Sequence, residues 1–129
     1  MKEAYVSLGV AKLLKEKRFN WECCNHFYCR KEDGKIIERW MQFSADRNSD
    51  RWINPYAEYI SAPTQQMAMR WLREEKDIDI VPFHEQLPND CYWCRIERNL
   101  YTAHTQEPIY STYEDAVEAA LEYVLTNLI

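Results

Sequence analysis

Glycine is scarce in this sequence, with only two among 129 residues, Gly9 and Gly34. The phosphate-binding loops of nucleotide-binding proteins need several closely spaced glycines, because their backbone must approach the phosphates closely. Two isolated glycines exclude a loop of that kind. The H-E-x-x-H pattern of helical zinc protease sites does not occur either. The sequence predicts no cofactor and assigns no catalytic residue.

Long hydrophobic runs are missing as well. The chain has no stretch of about 18 apolar residues, so no transmembrane helix is expected. It has no basic N-terminus followed by an apolar segment, so no signal peptide is expected. We therefore expect a cytoplasmic protein that does not bind membranes. Its five cysteines are expected to be reduced thiols, since an odd number fits a closed disulfide framework poorly.

Positive charge is in deficit, with 16 Lys and Arg against 21 Asp and Glu and a formal net charge of −5. General nucleic-acid binding requires clustered cations and is not expected. Two features keep a nucleic-acid-contacting regulator as an alternative. The segment AKLLKEKRFN resembles the A-x-x-L pattern of helix-turn-helix units. Six cations could also form a local basic patch: Lys12, Lys15, Lys17, Arg18, Arg30 and Lys31.

What the chain does contain is typical of a globular protein. Hydrophobic residues make up 47% and charged residues 29% of the sequence, which excludes a wholly disordered chain. A length of 129 residues suits one hydrophobic core. We therefore predict a single domain over residues 1–129.

Three segments predict helices. The first covers 7–17 with Ser7 as N-cap, since apolar residues follow with helical spacing. The central helix begins after Ser61 as N-cap, with Pro63 in its first turn and Trp71 on its buried face. The last helix begins with a capping box formed by Ser111 and Glu114.

Two hairpins are predicted. Residues 25–30 and 36–43 flank Asp33-Gly34, which as a two-residue turn would place Phe27 opposite Trp40 and His26 opposite Met41. Residues 91–98 and 100–105 form the second hairpin around Arg98-Asn99.

A further strand is predicted at 78–81, because apolar and polar residues begin to alternate after the central helix. Pro82 would either end this strand or place it at a sheet edge. The resulting order is α-β-β-α-β-β-β-α. It favours an α+β fold with a mostly antiparallel sheet of about five strands and helices packed on it.

Three segments carry a resemblance: SLGVAKLLKEKRFN, ISAPTQQMAMRWLREEKDIDI and YSTYEDAVEAALEYVL. Together they cover about half of the chain. They resemble a group of small uncharacterised proteins encoded in phages, prophages and genomes of gut Bacteroidetes. The resemblance implies an intracellular accessory protein related to phage proteins. Because the shared motifs are structural, it transfers no site residues.

Cysteine and histidine suggest two kinds of chemistry. Cys91 and Cys94 form a C-x-x-C, and Cys29 and His26 could complete a zinc site. Tyr and Trp between the two cysteines favour a strand, where residues three apart point to opposite faces, so these four remain weak metal candidates.

A nucleophilic cysteine is the other possibility. Cys24 or Cys29 would act with a histidine as base, and the chain offers three: His26, His84 and His104. A small metal- or cysteine-dependent enzyme is therefore an alternative function, although the residues favour a protein without enzymatic activity.

Residues 44–60 lose periodicity and predict a long loop. Trp52, Tyr56 and Tyr59 lie in this loop, and Trp and Tyr dominate the energetics of protein interfaces. These three are the predicted partner-binding residues. The main functional prediction is a non-enzymatic protein-interaction module that binds another protein or a second copy of itself.

Overall fold

The computed structural model describes residues 4–86 and 89–129. The chain divides into two compact units. The N-terminal unit is Tyr5–Thr64, and the C-terminal unit is Gln65–Ile129 together with Ala4. Each unit is described by itself below. The single domain that the sequence suggests stays a prediction.

The N-terminal unit contains one helix and a three-stranded antiparallel sheet. Helix α1 is Leu8–Glu16, and the strands are β1 (Cys23–Arg30), β2 (Ile36–Ala45) and β3 (Ala57–Ser61). Strand β1 lies in the centre, in the order β2-β1-β3. The Ser7 hydroxyl accepts a hydrogen bond from the Val10 N–H, which confirms the predicted N-cap of α1.

The β1–β2 hairpin is confirmed, but its predicted register is wrong by two residues. Phe27 lies opposite Glu38, and His26 lies opposite Arg39. The cause is the turn: among its described residues only Gly34 has a left-handed φ, of 69°. A two-residue type I′ turn needs that conformation at both central positions. The loop is therefore longer, and the Arg30 N–H donates to the Lys35 carbonyl across it.

The segment 44–60 is more ordered than predicted. It contains the end of β2, a 3-10 helix at Asp50–Trp52, and most of β3. Strand β3 pairs with β1, with Tyr28 opposite Tyr59. Its short length and the polar Glu58 hide the alternation that would have predicted a strand.

The C-terminal unit contains two helices and a second three-stranded antiparallel sheet. Helix α2 is Gln65–Lys76 and helix α3 is Tyr113–Asn127. The strands are β4 (Ile78–Glu85), β5 (Cys91–Arg98) and β6 (Tyr101–Thr105), in the order β4-β5-β6. Strand β4 continues through Pro82, which is tolerated because β4 lies at the edge of this sheet, next to β5.

The second hairpin, β5–β6, is confirmed. Arg98 lies opposite Tyr101 across a two-residue turn. Both turn residues have left-handed φ, 51° at Asn99 and 69° at Leu100, as a type I′ turn requires.

Two predicted helix starts are wrong. Ser61 does not cap α2: it belongs to β3, its hydroxyl accepts from the Arg47 N–H, and α2 begins at Gln65. Ser111 does not cap α3 either. The Thr112 hydroxyl accepts from the Asp115 N–H instead, one residue later than the predicted pair.

The core of the C-terminal unit lies between its helices and one face of its sheet. Helix α2 packs on β4 and α3, and α3 packs on β4 and β5. The predicted inward position of Trp71 is confirmed, because its side chain is buried. The apolar residues of α3 are buried on the same side: Ala116, Val117, Ala120, Leu121, Val124 and Leu125.

The α+β class and the predicted order of helices and strands are confirmed, with β3 as one additional strand. The strands form two sheets of three, rather than one sheet of about five. Among the described residues, no helix is long and apolar enough to cross a membrane.

Candidate functional site

One face of the N-terminal sheet carries aromatic and cationic side chains from all three strands. The registers place His26 opposite Arg39 and Tyr28 opposite Tyr59. Residues opposite each other share a face, and residues two apart on a strand do so as well. His26, Tyr28, Arg39, Met41 and Tyr59 therefore lie on one face.

Arg47, just after β2, is buried at this face with a relative exposure of 1%. Its Nη1 donates to the carbonyl oxygens of Cys23 (2.7 Å) and Ala45 (3.4 Å), and its Nη2 donates to that of Phe43 (3.3 Å). Its Nε is buried and has no hydrogen-bond partner. Within the described part of the chain, no carboxylate forms an ion pair with Arg47.

Two aromatic rings contact the Arg47 guanidinium. Its Cζ lies 5.2 Å from the centre of the Trp52 ring and 5.4 Å from that of Phe43. These distances fit cation–π contacts. Tyr59 contacts Trp52, with ring centres 5.5 Å apart, and meets Tyr28 edge-on at 5.2 Å. The rings hold the guanidinium in place.

Hydrogen bonds fix the segment that carries Arg47 and Trp52. The Arg47 N–H donates to the Ser61 hydroxyl at 3.0 Å. The Asn48 amide donates to the Phe19 carbonyl at 3.0 Å and accepts from the Ser61 N–H at 2.9 Å. These hydrogen bonds fix the segment to β3 and to Phe19, which follows α1. The positions of Arg47 and Trp52 are therefore set before any ligand binds, so the site is preorganised.

His26 is buried with a relative exposure of 2%, and its ring contacts Tyr59 at 5.5 Å. Its Nδ1 has no hydrogen-bond partner. Burial, together with the charges of Arg47 and Arg39, lowers the pKa of His26 to about 4. His26 is therefore neutral at pH 7.

These residues enclose a cleft of about 320 Å³. We call it the Arg47 cleft, and it is lined by His26, Tyr28, Arg39, Met41, Arg47, Trp52 and Tyr59. The lining carries two guanidinium groups and no carboxylate, so it attracts anions. A neighbouring hollow of about 300 Å³ shares Arg47, Trp52 and Tyr59 with it.

The C-terminal unit has a concavity of its own, of about 370 Å³, lined by Arg73, Asp77, Asp79, Glu97, Asn99 and Leu100. Arg73 and Asp79 form an exposed ion pair at 3.8 Å there. None of the six lining residues has a buried polar atom without a partner. The Arg47 cleft has two such atoms, Arg47 Nε and His26 Nδ1, which makes it the stronger candidate site.

The structure brings two of the three predicted partner-binding residues into this cleft. Trp52 and Tyr59 line it. Tyr56 does not, but it is exposed, as is Ile53, which lines the neighbouring hollow. Arg47 and Arg39 were not predicted as site residues. An arginine in a polar segment looks like a surface residue, and no local signal shows that Arg47 is buried.

The weak metal candidates lie on two strands of different units, Cys29 and His26 on β1 and Cys91 and Cys94 on β5. Across residues 4–86 and 89–129, no group of three or more His, Cys, Asp or Glu side chains could hold a metal ion. Burial raises the pKa of the Cys94 thiol to about 11. Such a thiol is a poor nucleophile or ligand at pH 7.

The cysteine–histidine pairs predicted for nucleophilic catalysis have other contacts. The Cys24 Sγ lies 3.3 Å from the Ser44 hydroxyl. His84 stacks on Tyr92, and His104 stacks on Tyr123. In the described chain, no hydrogen bond joins a cysteine to a histidine.

The predicted basic patch is partly neutralised. Lys15 forms an ion pair with Glu58 at 3.1 Å and also donates to the Tyr59 carbonyl. Arg30 forms one with Asp33 at 2.6 Å. Two of the six cations therefore already have carboxylate partners.

Comparisons with protein-family models, with curated proteins and with solved structures find no match. The resemblance to small phage and Bacteroidetes proteins stays a prediction.

Proposed function

We propose that this chain is a non-enzymatic protein-interaction module that binds its partner through the Arg47 cleft and the exposed side chains beside it. One observation carries the proposal: Trp52, Tyr59 and Arg47 converge at a preorganised concavity. Trp, Tyr and Arg are the residues most enriched among those that dominate binding energy at protein interfaces.

The surroundings of the cleft support a protein partner. Ile53 is 78% exposed and lines the neighbouring hollow, which shares Arg47, Trp52 and Tyr59 with the cleft. Tyr56, three residues further along the chain, is 77% exposed. Burying these apolar side chains together with the cleft would stabilise a complex. The seven cleft residues offer rings and cations, but neither a thiol nor a carboxylate, which favours binding over catalysis.

Quantitative affinity purification from the native host, read by mass spectrometry, tests this proposal. The tagged chain is compared with Trp52→Ala and Tyr56→Ala. The matched control is Tyr101→Ala on β6, because Tyr101 is as exposed (78%) as Tyr56 (77%). We expect a protein that co-purifies with the wild type and with Tyr101→Ala. Its recovery should fall roughly tenfold or more with the other two variants.

Equal recovery of every co-purified protein with all four chains would contradict the proposal. A second copy of the chain is also a possible partner. Sedimentation of the purified protein at several concentrations tests for it, since self-association through the cleft should disappear in Trp52→Ala and persist in Tyr101→Ala.

A further inference from the structure

Among the described residues of the N-terminal unit, no carboxylate lies within ion-pair distance of the Arg47 guanidinium. Its three side-chain hydrogen bonds go to backbone carbonyls, which are dipoles and do not neutralise a full charge. A buried charge is costly unless an opposite charge pairs with it. In the described residues no carboxylate does so, and the buried Nε makes no hydrogen bond. A bound anion would supply the missing charge.

Arg39 provides a second, accessible cation. It lies on β2 opposite His26, and its guanidinium stands over the Tyr28 ring at 5.1 Å. The side chain is exposed, and the described residues offer it no ion-pair partner. An oxyanion in the cleft could therefore accept hydrogen bonds from Arg39 while lying above the charge of Arg47.

From this charge arrangement we infer that the Arg47 cleft binds a carboxylate side chain in an acidic segment of a partner protein. The inference rests on the proposed function and names the chemistry of the partner. The source is a protein segment rather than a free ion because the neighbouring hollow, lined by the exposed Ile53, shares Arg47, Trp52 and Tyr59 with the cleft and extends the contact surface beyond it. An acidic segment with an apolar or aromatic residue matches both the cationic cleft and the exposed Ile53 side chain.

Titration monitored by ¹⁵N–¹H NMR tests the inference. The probe is acetyl-Glu-Glu-Tyr-Glu-Glu-amide, and the uncharged control is acetyl-Gln-Gln-Tyr-Gln-Gln-amide. The reporters are the Arg47 Nε–H and the Trp52 indole N–H, one on each side of their 5.2 Å contact. We expect both signals to shift with the acidic peptide only. Binding should weaken as salt rises above about 150 mM, because ions screen the attraction.

Two variants and one control locate the binding. Arg39→Gln removes an exposed charge without touching the core and should weaken the acidic peptide roughly tenfold. Arg98→Gln makes the same charge change at an exposed position of β5 and should leave the affinity within about twofold. Arg47→Met should abolish binding, provided that its circular dichroism shows a folded chain. Arg39→Gln keeps the test valid if Arg47→Met does not fold.

Three outcomes of the titration overturn the inference. Unchanged Arg47 and Trp52 signals would mean that the cleft does not take carboxylates. Equal shifts with both peptides would mean that charge plays no part. Equal shifts with inorganic phosphate alone would identify a site for free oxyanions. If the acidic peptide does not bind but Trp52→Ala still loses a native partner in the affinity purification, the proposed function stands. If the acidic peptide binds but Trp52→Ala loses no native partner, only the proposed function is contradicted.

Discussion

The buried His26 makes the stability of the N-terminal unit depend on pH in a calculable way. Its pKa is about 4 in the folded chain, against about 6.5 in the unfolded one. Between these values the unfolded chain binds a proton at His26 and the folded chain does not. The free energy of unfolding must therefore fall as the pH is lowered from about 6.5 towards 4.

The size of the effect follows from the two pKa values. A difference of one unit corresponds to about 1.4 kcal/mol, so His26 contributes a loss of about 3 kcal/mol once the pH is below 4. At pH 5 the loss is about 2 kcal/mol. With a urea m-value of about 1–3 kcal/mol per molar, the urea midpoint should fall by about 1 M from this residue alone.

Urea unfolding at pH 7 and at pH 5 measures the effect, with His26→Gln isolating it from carboxylates that also titrate. The pH-dependent loss should be about 2 kcal/mol smaller in His26→Gln than in the wild type. His84→Gln is the matched control, because it makes the same substitution at a partly exposed histidine of the other unit.

The pKa can also be measured directly, from the NMR shift of the His26 Cε1 proton. Arg39→Gln should raise the pKa of His26, because the charge of Arg39 helps to lower it. A His26 pKa above about 6, or the same pH dependence in wild type and His26→Gln, would refute the burial of this ring beneath the cleft.

Three other predictions concern the packing of α2, the β5–β6 turn and the zinc content. Trp71→Ala should lower the free energy of unfolding by about 3–5 kcal/mol and the melting temperature by roughly 10–20 °C. Trp40→Ala, at an exposed position of β2, should cost less than about 1 kcal/mol, and similar melting curves for the two variants would contradict the core position of α2. Leu100→Gly should raise the free energy of unfolding by about 1 kcal/mol, because Leu100 has a left-handed φ of 69° and is 99% exposed. A lower urea midpoint in the variant would contradict this, since it would show that the leucine side chain stabilises the fold. Purified protein should carry much less than one zinc ion per chain and keep its melting temperature in chelator. A large fall of the melting temperature in chelator would support a structural zinc site instead.

The helices and hairpins could be predicted from the sequence because their signals are local. The helical spacing around Trp71 and the alternation after Asp77 needed only neighbouring residues. Element ends were less certain, because several residues can serve as a cap. Thr112 rather than Ser111 caps α3, and Ser61 is used by Arg47 instead of by α2.

The candidate site could be predicted only in part, since its decisive features are long-range. Trp52 and Tyr59 stood out as aromatic residues in a polar segment. The burial of Arg47 depends on the carbonyl of Cys23, 24 residues earlier. The position of Arg47 beside His26 depends on the β1–β2 register, and the register predicted from the sequence was wrong by two residues. A pattern of neighbouring residues cannot reveal such a site.

Hydroxyl-radical footprinting of the chain, free and in complex with its native partner, tests the proposed binding surface most directly. We expect oxidation of Trp52, Tyr56 and Tyr59 to fall on complex formation. Trp40 and Tyr101 are exposed and do not line the cleft, and they should be oxidised as before. Protection of Trp40 or Tyr101 without protection of Trp52 and Tyr56 would contradict the account.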